Sequence, residues 1–216
     1  VTRRIGWVGG IGAAALALLL GASGAAEACQ GTGAPLLVED FKNPDIGWGK
    51  PDTIASYSQQ GLVINPPANG SAWRWNRNFS MARADFCIAA VNPSALPSPA
   101  NSETVGDVGL WFWGTDGQNF YTATIALDGT AAVDRLVNGV WQSVVAPRPT
   151  PAVKTAAGAT NEIELVTSGN SATFFVNGSL IADFHGQPPQ GGGAPGIYAE
   201  SGPQITTWLF PRAVLY

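Results

Sequence analysis

From residue 36 onward the chain runs as short stretches of alternating apolar and polar residues, separated by turn-forming pairs. Asp116-Gly117, Asp128-Gly129, Asn138-Gly139, Gly169-Asn170 and Asn177-Gly178 supply the positive φ angles that tight antiparallel hairpins require. A period of two sends successive side chains to opposite faces of a sheet. It predicts strands at about 36–42, 53–58, 61–65, 71–76, 79–91, 106–114, 119–127, 130–137, 140–146, 161–168, 171–177, 179–184, 195–200 and 205–215. No stretch sustains a helical period with caps at both ends, and the Ala-rich run 154–160 is short and contains Gly158. The segments 92–103, 147–160 and 186–193 are too rich in Pro, Gly and Ser for strands and are expected to be surface loops. So many short antiparallel strands cannot remain one open sheet, so an all-β architecture of two packed sheets is expected.

Alternation also assigns faces. Val108, Leu110 and Phe112 share one face of their strand, which leaves Trp111 and Trp113 together on the other. In the next strand Tyr121, Ala123, Ile125 and Leu127 oppose Phe120, Thr122 and Thr124. Trp73 and Trp75 repeat the two-residue spacing beside Arg74, Asn76 and Arg77, while Trp141 and Trp208 are expected in the core. Glu162 and Glu164 alternate with Ile163 and Leu165 and are expected to face solvent. Arg135 has the parity of Val133 and Val137, so it either points into a sheet face with a partner or lies where the strand has ended.

The first residues differ from the rest. Arg3 and Arg4 precede an uncharged, Ala/Leu/Gly-rich run over 5–22, and Ala26-Glu27-Ala28 fits the signal-peptidase pattern. Residues 1–28 therefore read as a cleaved secretion signal, with cleavage between Ala28 and Cys29, a short segment over 29–35, and one sandwich domain over 36–216. A retained membrane anchor and a lipoprotein acylated at Cys29 are the alternatives. With the signal removed no membrane span remains, and the expected location is periplasmic or secreted. The only two cysteines, Cys29 and Cys87, are expected to pair in that oxidising compartment. Losing Arg3, Arg4 and Glu27 leaves nine Lys/Arg against fourteen Asp/Glu, thinly scattered. That charge pattern argues against nucleic acid as a partner.

Several blocks in order resemble a known superfamily: "VEDFKNPDIGW", "GLVINPP", "GLWFWGTDGQNFYTATIALDGTAAVDRLVNGVWQSVV" and "NEIELVTSGNSATFFVNGSLIADF". The pattern is similar to the concanavalin A-like lectin/glucanase superfamily, and within it to the laminin-G-like jelly rolls of secreted bacterial domains. The resemblance implies a two-sheet antiparallel jelly-roll sandwich. The superfamily's glucanases carry a Glu-x-Asp-x-x-Glu strand that this chain lacks; Glu162-Ile163-Glu164 is the nearest string. Its calcium-binding members pair an acid of the first strand with an Asp of the last. Here Glu39 and Asp40 are present but 205–216 holds no acid, which argues against calcium, and no cofactor is expected.

No catalytic constellation is evident. His185 is the only histidine and no G-x-S-x-G elbow exists, so a metal centre or serine triad has little to build on. Asp85, Asp107, Asp134 and Glu200 lie where two carboxylates from different strands could meet, as a glycosidase would need. The aromatic residues are the stronger clue. Of eight Trp, seven lie beyond the signal, and indoles flanked by polar groups are what a sugar ring stacks on. The leading expectation is an exported, non-catalytic carbohydrate-binding domain that grips a glycan on its concave sheet. Trp111 and Trp113 would form the platform, with Trp73, Trp75 and Arg135 as further ligand residues. A glycoside hydrolase or lyase with relocated carboxylates, and a structural or adhesive module with an envelope-protein partner, are the alternatives.

Overall fold

The computed structural model describes residue 29 and residues 31–216. The secretion signal over 1–28, including Ala28 of the cleavage site, lies outside the described residues. The strands in chain order are β1 (Leu37–Glu39), β2 (Ala55–Ser58), β3 (Gly61–Ile64), β4 (Ser71–Trp75) and β5 (Arg83–Val91). Then follow β6 (Val108–Asp116), β7 (Asn119–Ile125), β8 (Thr130–Val137), β9 (Val140–Pro149) and β10 (Thr160–Ser168). The series ends with β11 (Ser171–Val176), β12 (Ser179–His185), β13 (Ala194–Glu200) and β14 (Trp208–Leu215). A single 3-10 turn, Ile46–Trp48, is the other regular element among the described residues.

These strands form two antiparallel sheets, as the alternation requires. One runs β12-β11-β10-β5-β14-β3-β2, with β1 added alongside β14; the other runs β4-β13-β6-β7-β8-β9. Two local meanders, β6 to β9 and β10 to β12, supply most of the pairing, and Asn138 and Asn177 take the positive φ values their hairpin turns need. The single strands β4, β5, β13 and β14 carry the chain back and forth between the sheets. Between the sheets lies the main core: Leu62, Ile64, Phe86, Ile88, Leu165, Phe174 and Phe210 from the larger sheet meet Val108, Leu110, Phe112, Tyr121, Val133 and Ile197 from the smaller.

Cys29 and Cys87 are joined in a disulfide, with Cα atoms 5.6 Å apart. It ties the N-terminal segment to β5, a strand in the middle of the larger sheet. Strand β9 continues to Pro149, three residues into a segment expected to be loop, because Thr130 and Ala131 extend β8 as a partner for it. No helix among the described residues is long and apolar enough to cross a membrane.

Two assignments, those of Glu164 and Trp141, are corrected by the packing of the sheets. Glu164 does not face solvent; it is buried on the outer face of the larger sheet, opposite Cys87 and Phe175 on the flanking strands. Trp141 is not in the core. It is 46% exposed, because Leu136, its register partner on β8, points away from the sandwich interior.

Candidate functional site

Side chains of the smaller sheet that point away from the core build a second, separate hydrophobic layer. Trp73 and Trp75 come from β4, Tyr198 from β13, Trp111 from β6, Phe120 from β7, Leu136 from β8, and Trp141 from β9. Strand register places Trp73 beside Tyr198, Trp111 beside Gly196, and Leu136 beside Trp141. Gly196 is required there: a Cβ at that position would press on the Trp111 ring at 3.1 Å.

The ring distances show that this face is curved inward. Trp141 and Tyr198 sit on strands four spacings apart, about 19 Å in a flat sheet, yet their ring centroids are 6.4 Å apart. Trp73 and Phe120, three spacings apart, are 5.4 Å from centroid to centroid. Side chains standing perpendicular to a flat sheet could not meet across it; on a concave one they converge.

Convergence seals the centre of the face. Trp111 is 1% exposed, packed against Trp75 at 4.6 Å and Phe120 at 5.7 Å. Trp113 departs further from the sequence expectation, because it does not share a face with Trp111. It has φ 47° at a register shift between Phe112 and Asp116, and this irregularity turns its side chain into the main core. There it is 2% exposed, edge-on to Tyr121 at 5.4 Å, with Gly186 against its ring and its indole N–H donating to the Met81 carbonyl at 3.3 Å. The pair expected as a platform is therefore split, and neither ring is open to a ligand. The open rings are Trp141 at one edge of the face and the half-buried Trp73 and Trp75 at the other.

The same face carries acids. Asp107, Glu200 and Asp134 approach closely enough for their charges to interact. Burial, reinforced by the Glu200 charge, pushes the Asp107 carboxyl up to about 7. One Asp107 oxygen is buried with no hydrogen-bond partner among the described residues. Glu200 is raised by burial, opposed by the Tyr198 hydroxyl that donates to it at 2.5 Å. Asp134 is raised by burial, opposed by a hydrogen bond with Ser143. The sequence marks all three, with Asp85, as acids in strands or at strand ends where two carboxylates could meet; the register of β13 on β6 and β7 on β8 brings these three together.

Arg135 lies with its guanidinium 5.1 Å over the Tyr121 ring, and Nη1 donates to Gln187 Oε1 at 2.9 Å. It borders a hollow of about 250 Å³ lined also by Asn119, Pro189 and, from the concave-face layer, Phe120 and Leu136. Asp85 and Glu164 form another acid pair, on the larger sheet and away from the concave face. Glu39 spends its carboxylate on two backbone donors, Phe41 N–H at 2.8 Å and Asp45 N–H at 2.7 Å.

A cleft of about 550 Å³ opens where β4, the edge strand of the smaller sheet, faces the 3-10 turn. Sequence reasoning did not find it, since nothing in the local pattern announces that residues 46–50 wrap beside Trp73 and Trp75. The Asp45-Ile-Gly-Trp step is its only local sign, with the Asp45 carboxylate capping Gly47 N–H at 2.8 Å.

Comparison of the sequence with family models gives no match, and neither does comparison with curated proteins. Comparison of the fold does. The carbohydrate-binding module CBM66 from Bacillus subtilis superposes with a TM-score of 0.61 at 15% identity, covering 78% of this chain and 94% of that one. The Emp46p carbohydrate recognition domain gives 0.58 at 11% identity, over 82% and 94%. The Bacillus licheniformis beta-glucanase gives 0.55 at 17% identity, over 86% and 99%. The chain has the concanavalin A-like jelly-roll fold that its sequence blocks resemble.

Proposed function

We propose that this domain is an exported, non-catalytic carbohydrate-binding module that holds a glycan along the concave face, between Trp141 and the Trp73/Trp75 edge. One observation carries the reading: a sheet face outside the sandwich core is lined with aromatic rings, where a sheet face turned to water ordinarily carries polar groups. Rings with polar neighbours suit the C–H faces and hydroxyl groups of sugars. Glu200, Asp134 and Ser143 border the rings, and the fold is shared with modules that bind carbohydrate. The Cys29–Cys87 disulfide fits an oxidising location, periplasmic or secreted.

Calorimetric titration with neutral and acidic polysaccharides tests it. At least one glycan should bind, and Trp141→Ala should weaken that binding about tenfold, the equivalent of about 1.4 kcal/mol, while the domain stays folded. Absence of heat with every glycan rejects the reading.

The acids on the same face support a second reading, glycoside hydrolysis. Asp107, raised to about 7 by burial and thus still partly protonated at neutral pH, has the character of a general acid, and Glu200 or Asp134 would be the partner carboxylate. Release of reducing sugar with a bell-shaped pH profile, lost in both Asp107→Asn and Glu200→Gln, would establish it; an inert protein on glycans that it binds would dismiss it.

A further inference from the structure

The cleft beside β4 has a chemistry of its own. One wall is Trp73, Arg74 and Trp75; the other is the turn from Ile46 to Lys50; Arg77 and Asn78 close one end. Its walls are fixed. Asp45 accepts from Gly47 N–H at 2.8 Å and from the side-chain amides of Asn76 and Asn78, both at 2.9 Å, pinning the turn to the segment after β4.

Charge is distributed unevenly along this cleft. Arg74 is neutralised by Asp52, with Nη2 to Oδ2 at 2.5 Å. Lys50 and Arg77 also line it, and among the described residues neither has a carboxylate in ion-pair range. Two unpaired cations therefore face one cleft in a chain whose net charge is −4. Arg77 is also oriented: its guanidinium lies 5.0 Å over the Trp75 ring, whose neighbour is Trp111 at 4.6 Å. A guanidinium placed over an indole still has N–H groups available for hydrogen bonding, and that fork matches the two oxygens of an anion.

The Trp48 indole lines the cleft from the core side, 1% exposed and edge-on to Phe41 at 5.3 Å.

We propose that this cleft binds an anionic sugar unit, making the domain selective for acidic glycans. The inference rests on the carbohydrate-binding reading and names the substrate class for it. The sugar ring lies against Trp73, and the anionic group is held between Arg77 and Lys50. The anion is a uronate carboxylate or a sulfate ester, which share this recognition chemistry.

The test uses the disulfide-intact chain and calorimetry with three probes: oligogalacturonate, the same oligomers after reduction of their carboxyl groups, and dextran sulfate. At least one anionic probe should bind about tenfold tighter than the reduced oligomers, with the difference shrinking at high salt. Arg77→Gln and Lys50→Gln, both at exposed positions, should each remove most of that difference. Preference for oligogalacturonate assigns a carboxylate, and preference for dextran sulfate assigns a sulfate. Equal binding of charged and reduced oligomers, or indifference to both substitutions, overturns the anionic site and leaves carbohydrate binding standing. If no probe binds and a neutral panel also fails, both readings fall.

Discussion

Trp111 and Trp113, separated by Phe112 on β6, are packed into different hydrophobic layers: the first into the concave face, the second into the core between the sheets. Their replacement should therefore have consequences unlike that of Trp141. Trp113→Ala should cost about 3–5 kcal/mol, the range for deleting a fully buried large aromatic. Trp141→Ala, at a site 46% exposed with two edge-on ring contacts, should cost under about 1.5 kcal/mol. Denaturant unfolding of the two variants measures both, and equal losses would contradict the placement of these rings.

Gly114 lies directly against the Trp111 indole, and a Cβ there would collide with the benzo ring. Gly114→Ala should push Trp111 out of its stack with Trp75 and Phe120. The expected cost is about 1–3 kcal/mol, typical of overpacking, with a changed near-ultraviolet circular dichroism spectrum. An unchanged spectrum and stability would mean that the Trp111 ring is not seated there.

Two carboxyls give the domain a definite pH response. Burial, with the adjacent Asp85, raises Glu164 from the ordinary value of 4.5 to about 8, and Asp107 rises from 3.8 to about 7. A raised folded-state pKa means that the native protein binds more protons than the unfolded chain between the two values. The stability contributed by these protonated carboxyls is thus fully present below about pH 4 and is lost as pH rises through about 7 and then about 8. Glu164→Gln, which mimics the protonated form, should leave stability little changed below about pH 4 and raise it increasingly relative to the parent as pH climbs toward about 8. Melting curves across that interval check the sign, and a difference independent of pH would refute it.

The disulfide closes a chain separation of 58 residues. In the chain-entropy model a loop of that size contributes on the order of 4 kcal/mol. Cys87→Ser should lower stability by an amount of that order. Since Cys87 is 1% exposed in mid-strand, Cys29→Ser is the cleaner comparison and should lose nearly as much.

Strand positions were legible because alternation and hairpin dipeptides are local signals, and the fourteen strands fall close to the segments they mark. The pairing of Cys29 with Cys87 was equally legible, since only two cysteines exist. Faces were legible only while the period of two held. At Trp113 a left-handed residue breaks it, and residues 113–115 of β6 stand opposite Phe120 alone, an irregularity without any sequence mark other than its consequences. Trp141 was misplaced for a different reason. Alternation alone cannot tell the core side of an edge strand from the concave side. The site itself depends on curvature and on a turn folding beside β4, both tertiary facts. Asp107, Glu200 and Asp134 could be named one by one from the sequence, whereas their proximity follows from strand register.

Hydroxyl-radical footprinting of the tryptophans, with and without a bound glycan, tests the concave-face reading most directly. The account predicts that Trp141 and Trp73 are oxidised readily in the free protein and protected in the complex, while Trp113 and Trp208, buried in the core, are slow in both. A glycan that binds yet leaves Trp141 and Trp73 oxidising at the free-protein rate would contradict it.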